Sequence, residues 1–182
     1  VFMAGMYVPL FVFDHLCHQR DLFLQQQISH YQPLQKHVLW HSLFVGLGFI
    51  DNDLGLHYAD ECADQWVQRV APEVKYNTLQ YDAVLRTEVF RLIRTKPDFI
   101  LRTIGAKIGV LFYYFLLFAN VGIIASWRYP KPWRIDVVLL SALVASSAFG
   151  IISIPIISYL LGFVAAAVLY GVVSLGYACD HE

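Results

Sequence analysis

The chain of 182 residues carries 13 Lys and Arg against 14 Asp and Glu, and a formal net charge of -1 gives no electrostatic case for nucleic acid. Hydrophobic residues make up 58% and charged residues 15%, with a mean hydropathy of +0.53, which lies outside the habits of a soluble domain and points to a membrane. That length holds one membrane unit and one small polar domain, and leaves no room for a separate large catalytic domain.

In chain order, Val1 is no initiator, so the start has been processed, cut or left out. Residues 1–13 are apolar but too short to span, and lack the basic region of a signal peptide. They read as the end of a partial transmembrane helix. An extramembrane, mainly helical domain follows over 14–103. Residues 14–31 read as a helix carrying Leu16, Phe23, Leu24 and Ile28, ended or redirected by Pro33. The Gly-marked stretch from Trp40 to Phe49 leads into Asp51-Asn52-Asp53-Leu54-Gly55. From Tyr58 to Val70 the spacing is again helical, and Pro72 closes it. Asn77-Thr78 opens another helix with an apolar stripe of Tyr81, Leu85, Val89, Leu92 and Ile93, fit to rest on the membrane or on the first helix. Thr95-Lys96-Pro97-Asp98 has the spacing of a capping box, so the next helix starts before the membrane.

Three complete transmembrane helices are expected at 104–126, 135–152 and 154–177, each near the roughly 20 residues that cross a hydrocarbon core of about 30 Å. The fold class is therefore an all-α integral membrane protein. Arg128, Lys131 and Arg134 place the loop between the first two spans in the cytoplasm by the positive-inside bias. The polar domain is then periplasmic in a bacterial inner membrane, and the tail 178–182 is cytoplasmic. Trp127, Tyr129 and Trp133 suit the headgroup layer, and Lys107 can snorkel from the opposite face.

No Asp, Glu, Lys, Arg or His occurs between Val110 and Ser126 or between Val137 and Tyr177, which argues against a proton relay, an ion path or a His-ligated pigment within the spans. Asn120, the one strongly polar side chain there, suits an interhelical hydrogen bond. Small residues recur at helix-packing spacing: Gly105 with Gly109, Ala142 with Ser146, and Gly162 with Ala166. They serve either the chain's own packing or docking to another membrane subunit.

Candidate chemistry concentrates in the polar domain. His15 with His18, and His37 with His41, can share a helix face, but neither pair has the density of a structural metal site, and surface or interface roles are expected. Asp51 to Gly55 fails as a calcium loop, because an EF-hand needs Gly at the sixth and Glu at the twelfth position, here Leu56 and Cys62. It reads as an Asx-rich turn, with Asp60, Glu61 and Asp64 in the first turns of the following helix. Cys17 and Cys62 either pair as a disulfide in an oxidising compartment or remain two free thiols. No cofactor is indicated.

The run from His37 to Phe49, followed by Asn52, Gly55, Tyr58 and Asp60, together with Pro155 and Tyr159-Leu160-Leu161-Gly162-Phe163, resembles the carboxyl-terminal part of bacterial polytopic membrane proteins of the lipid-linked-sugar glycosyltransferase kind. The resemblance implies that the catalytic acid of such enzymes lies in an amino-terminal half absent here, and that this chain is a carboxyl-terminal piece or a shortened relative. His41, Asp51, Asp53 and Asp60 are the only acid/base set left, and no catalytic role is carried onto them; a glycosyl-transfer reading would draw on Asp51, Asp60, Arg91 and Arg94. The first expectation is a non-catalytic accessory or scaffold subunit, docked by its helices to a larger membrane assembly such as a respiratory or photosynthetic complex, with lipids and other membrane subunits as partners. The alternative is the carboxyl-terminal part of a polyprenyl-phosphate-sugar-dependent glycosyltransferase.

Overall fold

The computed structural model describes residues 2–28, 39–129 and 131–179, with backbone alone for 2–10. The expected stop at Pro33, the His37 half of one histidine pair and the tail beyond Cys179 lie outside the described residues. Within them the chain is all-α: α1 Phe2–Gln27, α2 Leu39–Leu47, α3 Asp60–Val70, α4 Leu79–Thr95, α5 Pro97–Arg128, α6 Trp133–Ile152, a 3₁₀ turn Ile157–Tyr159, and α7 Leu161–Cys179. Three of these helices, α5, α6 and α7, are long and apolar enough to cross a membrane.

No break marks the change of composition after Phe13, and α1 runs through it. Helical hydrogen bonds are internal to the segment, so a helix passes from apolar to polar sequence without interruption. The α2, α3 and α4 helices form a small domain around Phe44, Val67, Tyr81 and Leu85, each at most 1% exposed. On α4 the expected stripe is buried at Tyr81, Leu85, Val89 and Leu92, while Ile93 is 43% exposed. This helix packs on α2, α3 and α5.

Local chemistry explains the connections. The Asn52 side chain accepts from the amides of Leu54 and Leu56 (both 3.1 Å) and donates to the carbonyls of Ile50 and Leu56 (2.9 and 2.8 Å), holding the 50–56 loop as an Asx turn. Gly55 sits at φ +68°, where a side chain is strained. Thr78 caps α4 by accepting from the Tyr81 amide at 3.3 Å. The capping box expected at Thr95 does not form: the Thr95 hydroxyl donates back to the Arg91 carbonyl at 2.8 Å, and Lys96 occupies the N-cap without a side-chain bond. Helix α5 nevertheless starts at Pro97.

In the bundle, α7 packs along α5 and less extensively along α6, while α5 and α6 touch little. The turn between α6 and α7 is longer than expected. Pro155 has no amide hydrogen and disfavours helix at Ile154, Ile156 is extended, and α7 begins only at Leu161.

One lysine departs from expectation. Lys107 does not snorkel. It is 2% exposed, and Nζ donates to the carbonyls of Ile151 (2.9 Å) and Ser153 (2.6 Å) at the end of α6. Helix C-termini expose carbonyls that lack an internal partner, which makes them a better site for a buried amino group than a reach to water. Lys131 is likewise buried at the opposite end of the bundle. It donates to Ser126 Oγ (2.5 Å) and Ser174 Oγ (2.9 Å), pairs with Asp136 (2.8 Å), and lies 4.3 Å from the centre of the Tyr170 ring. Asn120 makes no interhelical bond; it is exposed and donates to the Leu117 carbonyl of its own helix at 3.1 Å.

Candidate functional site

A set of polar side chains meets at the junction of α2, α3 and α4. His41 projects from the buried face of α2 and is 7% exposed. Its Nδ1 lies 3.0 Å from the Tyr81 hydroxyl of α4, and its Nε2 lies 3.1 Å from Asp60 Oδ1 in the first turn of α3. Tyr76 meets the His41 ring edge-on, with centroids 5.9 Å apart, and stacks beside Tyr81 at 5.1 Å. Beneath the same helices Asp82, 8% exposed, accepts from the Trp40 amide at 3.2 Å, placing a carboxylate at the positive end of α2.

Burial raises the Tyr81 phenol above its ordinary pKa, and neighbouring Tyr76, Asp64, Asp60 and Asp82 push the same way, so the hydroxyl stays protonated. The Asp60 carboxylate can only accept, so Nε2–H donates to it, and Nδ1 of the neutral imidazole then accepts from the Tyr81 hydroxyl. Both ring nitrogens of His41 are engaged. It ties three helices together. Asp64, one turn beyond Asp60, keeps a buried Oδ1 without a hydrogen-bond partner.

Of the sequence candidates, His41 and Asp60 come together, but Asp51 and Asp53 do not join them. Those two line a separate recess of about 190 Å³ with Lys96, Phe99 and Arg102. Arg91 and Arg94 line another hollow with Arg86 and Phe90, where Arg91 is held by Glu88 through two bonds of 2.7 and 2.6 Å. His15 and His18 are exposed on α1, and among the described residues no three His, Cys, Asp or Glu converge as metal ligands. Cys17 and Cys62 are both free, the second of the two states open to them.

The small residues divide. Gly162 meets Ser146 across α6 and α7, with 3.6 Å between the position of a Cβ on Gly162 and Ser146 Cβ. Ala166 is half-buried and Ala142 exposed. Among the described residues, Gly105 and Gly109 have no atom within 4 Å of where a Cβ would stand. The closest helix approach lies instead at Gly122, where a Cβ would stand 2.4 Å from Gly171 Cα.

Tyr76, Tyr81 and Asp82 were not singled out from the sequence as site residues. The available signal was weak: a buried tyrosine needs a partner for its hydroxyl, and Tyr81 sits on an apolar stripe. Replacing Tyr81 by Phe leaves His41 Nδ1 without its donor, and is expected to lower the stability of the small domain by about 1–2 kcal/mol. The wild-type chain loses stability as pH rises above about 10, because the unfolded phenol ionises there while the folded one resists. Tyr81→Phe removes part of that alkaline loss. Thermal unfolding across alkaline pH checks both, and an identical pH slope in the variant would remove Tyr81 from this role.

No family model, curated protein or solved structure matches this chain.

Proposed function

We propose that this chain is a non-catalytic accessory or scaffold unit of a larger bacterial inner-membrane assembly, docking through its helices and presenting the small domain on the periplasmic side. The observation that carries the reading is the open face of α5 at Gly105 and Gly109. A glycine inside a helix costs about 1 kcal/mol relative to alanine. Among the described residues no atom lies within 4 Å of either Cβ position, so these two glycines are not used for close approach within that part of the chain. Around them Leu101, Tyr113 and Leu116 are exposed. A flat notch of this kind lets a second transmembrane helix approach backbone to backbone. The bonds of His41 to Tyr81 and Asp60 tie α2, α3 and α4 together, which supports a framework role for the small domain.

Extraction from native membrane in mild detergent is expected to bring down a membrane protein partner with the wild-type chain. Gly105→Leu/Gly109→Leu is expected to release it while the chain remains folded. A wild-type chain that purifies as a stable monomer with nothing bound overturns the reading.

A further inference from the structure

Three hollows are lined by residues of α4, α5 and α6. At membrane depth, the loose contact between α5 and α6 leaves a groove of about 490 Å³, walled by Ile108, Phe112 and Phe115 on one side and Leu140 and Val144 on the other. Its one hydroxyl, on Ser147, is already bonded to the Val144 carbonyl at 2.8 Å. Ile151 lines it and also lines a smaller cavity of about 140 Å³ under the small domain, bounded by Ile104 and Lys107 of α5 and by Val89 and Ile93 of α4. On α4 the next residues around the helix, Arg86, Phe90 and Arg94, line the outer hollow of about 490 Å³. Positions 86, 89, 90, 93 and 94 follow the i, i+3, i+4, i+7, i+8 rule and form one continuous strip. Phe90 and Ile93 are 45% and 43% exposed, an apolar bridge between the charged hollow and the membrane groove.

Charge distinguishes the outer end. Glu88 neutralises Arg91, whereas among the described residues neither Arg86 nor Arg94 has an ion-pair partner. Two unpaired guanidinium groups at the head of an apolar groove complement an anion that carries a long aliphatic chain. A free phosphate would leave the groove unfilled, and a partner helix would have to bring its own acid to this one point.

We infer that this side of the protein seats one anionic phospholipid. Its phosphate lies between Arg86 and Arg94, and one acyl chain passes Phe90 and Ile93 into the groove between α5 and α6. The guanidinium fork suits phosphate oxygens, and two turns of α4, about 12 Å, lie within the combined reach of two arginine side chains. From Ile104 to Phe115 the chain follows about 16 Å of α5.

The test is native mass spectrometry of the full, delipidated chain titrated with phosphatidylglycerol, phosphatidylcholine or inorganic phosphate. The expected result is one retained phosphatidylglycerol, bound about tenfold more tightly than phosphatidylcholine. Arg86→Gln/Arg94→Gln is expected to abolish that preference. Val144→Trp, at a 72% exposed position on the groove wall, is expected to weaken phosphatidylglycerol binding with both arginines intact. Circular dichroism establishes that each variant is folded. Equal binding of the two lipids to the wild-type chain, or unchanged binding in either folded variant, overturns the proposal. Displacement of bound lipid by millimolar inorganic phosphate overturns the acyl-chain part and leaves an anion site.

Discussion

Lys107→Met is expected to destabilise the folded chain by about 3 kcal/mol, read as a lowered unfolding midpoint in detergent. Methionine keeps the length and packing of the aliphatic stem, so the change isolates the amino group. That group is bonded to the carbonyls of Ile151 and Ser153, in a site that is 2% exposed. Removing a buried donor costs more than the net worth of its bonds, because both acceptors are left dry and unpaired. The damage also travels. At Gly46 a Cβ would stand 2.5 Å from the Ile152 carbonyl oxygen, 2.6 Å from that of Ser153 and 2.9 Å from Lys107 Nζ, so α2 lies directly on the end of α6. Tyr58 adds a 3.4 Å contact from its hydroxyl to Ser153 Oγ. Faster amide exchange is therefore expected in the segment 151–160 and in α2 together, with α7 beyond Ala167 unchanged. A midpoint equal to wild type would mean that water replaces the amino group, and that Lys107 does not join the small domain to the bundle.

What the sequence reveals here is the part governed by near neighbours. The stripe on α4, the Asn52 turn, the Thr78 cap and the three apolar spans each depend on residues within a few positions, and periodicity or turn chemistry is enough to read them. Sequence habit places Lys107 at a membrane surface and Lys131 in a charged loop, with no side-chain partner for either. Their actual positions depend on partners 44 to 46 and 43 residues away, a helix end and a serine on α7. The same holds for His41, which meets Tyr81 across 40 residues and Asp60 across 19. Asp51 and Asp60 look equally eligible in sequence, and only the path of the 50–59 loop separates them. The GxxxG spacing at Gly105 identifies a surface suited to close approach, but spacing within one helix carries no information about which neighbour arrives. Gly122 and Gly171 have no such local repeat with glycine, and their meeting is visible only once α5 and α7 are packed.

That contrast between glycines gives a second large effect, of opposite sign at the two sites. Gly122→Ala is expected to destabilise the chain by about 2 kcal/mol, whereas Gly105→Ala stabilises it by up to about 1 kcal/mol. At Gly122 the added methyl meets Gly171 Cα at 2.4 Å, Gly171 N at 3.1 Å and the Tyr170 carbonyl oxygen at 3.2 Å. All three are backbone atoms, so no rotamer change relieves the clash, and α7 must move as a body. One turn beyond, Ser126 and Ser174 share a 2.9 Å bond, and Lys131 and the Tyr170 hydroxyl converge on the same Ser126 oxygen. A shift of α7 therefore also opens the buried polar cluster that closes this end of the bundle, and leaves Lys131 without its serines. At Gly105 the methyl enters open space, and the exchange only removes backbone freedom from the unfolded chain. Unfolding midpoints of the two variants in one detergent decide the matter. Equal shifts would show that α5 and α7 do not cross at Gly122 and Gly171, while a loss at Gly105 alone would place the internal crossing on the face assigned here to a partner.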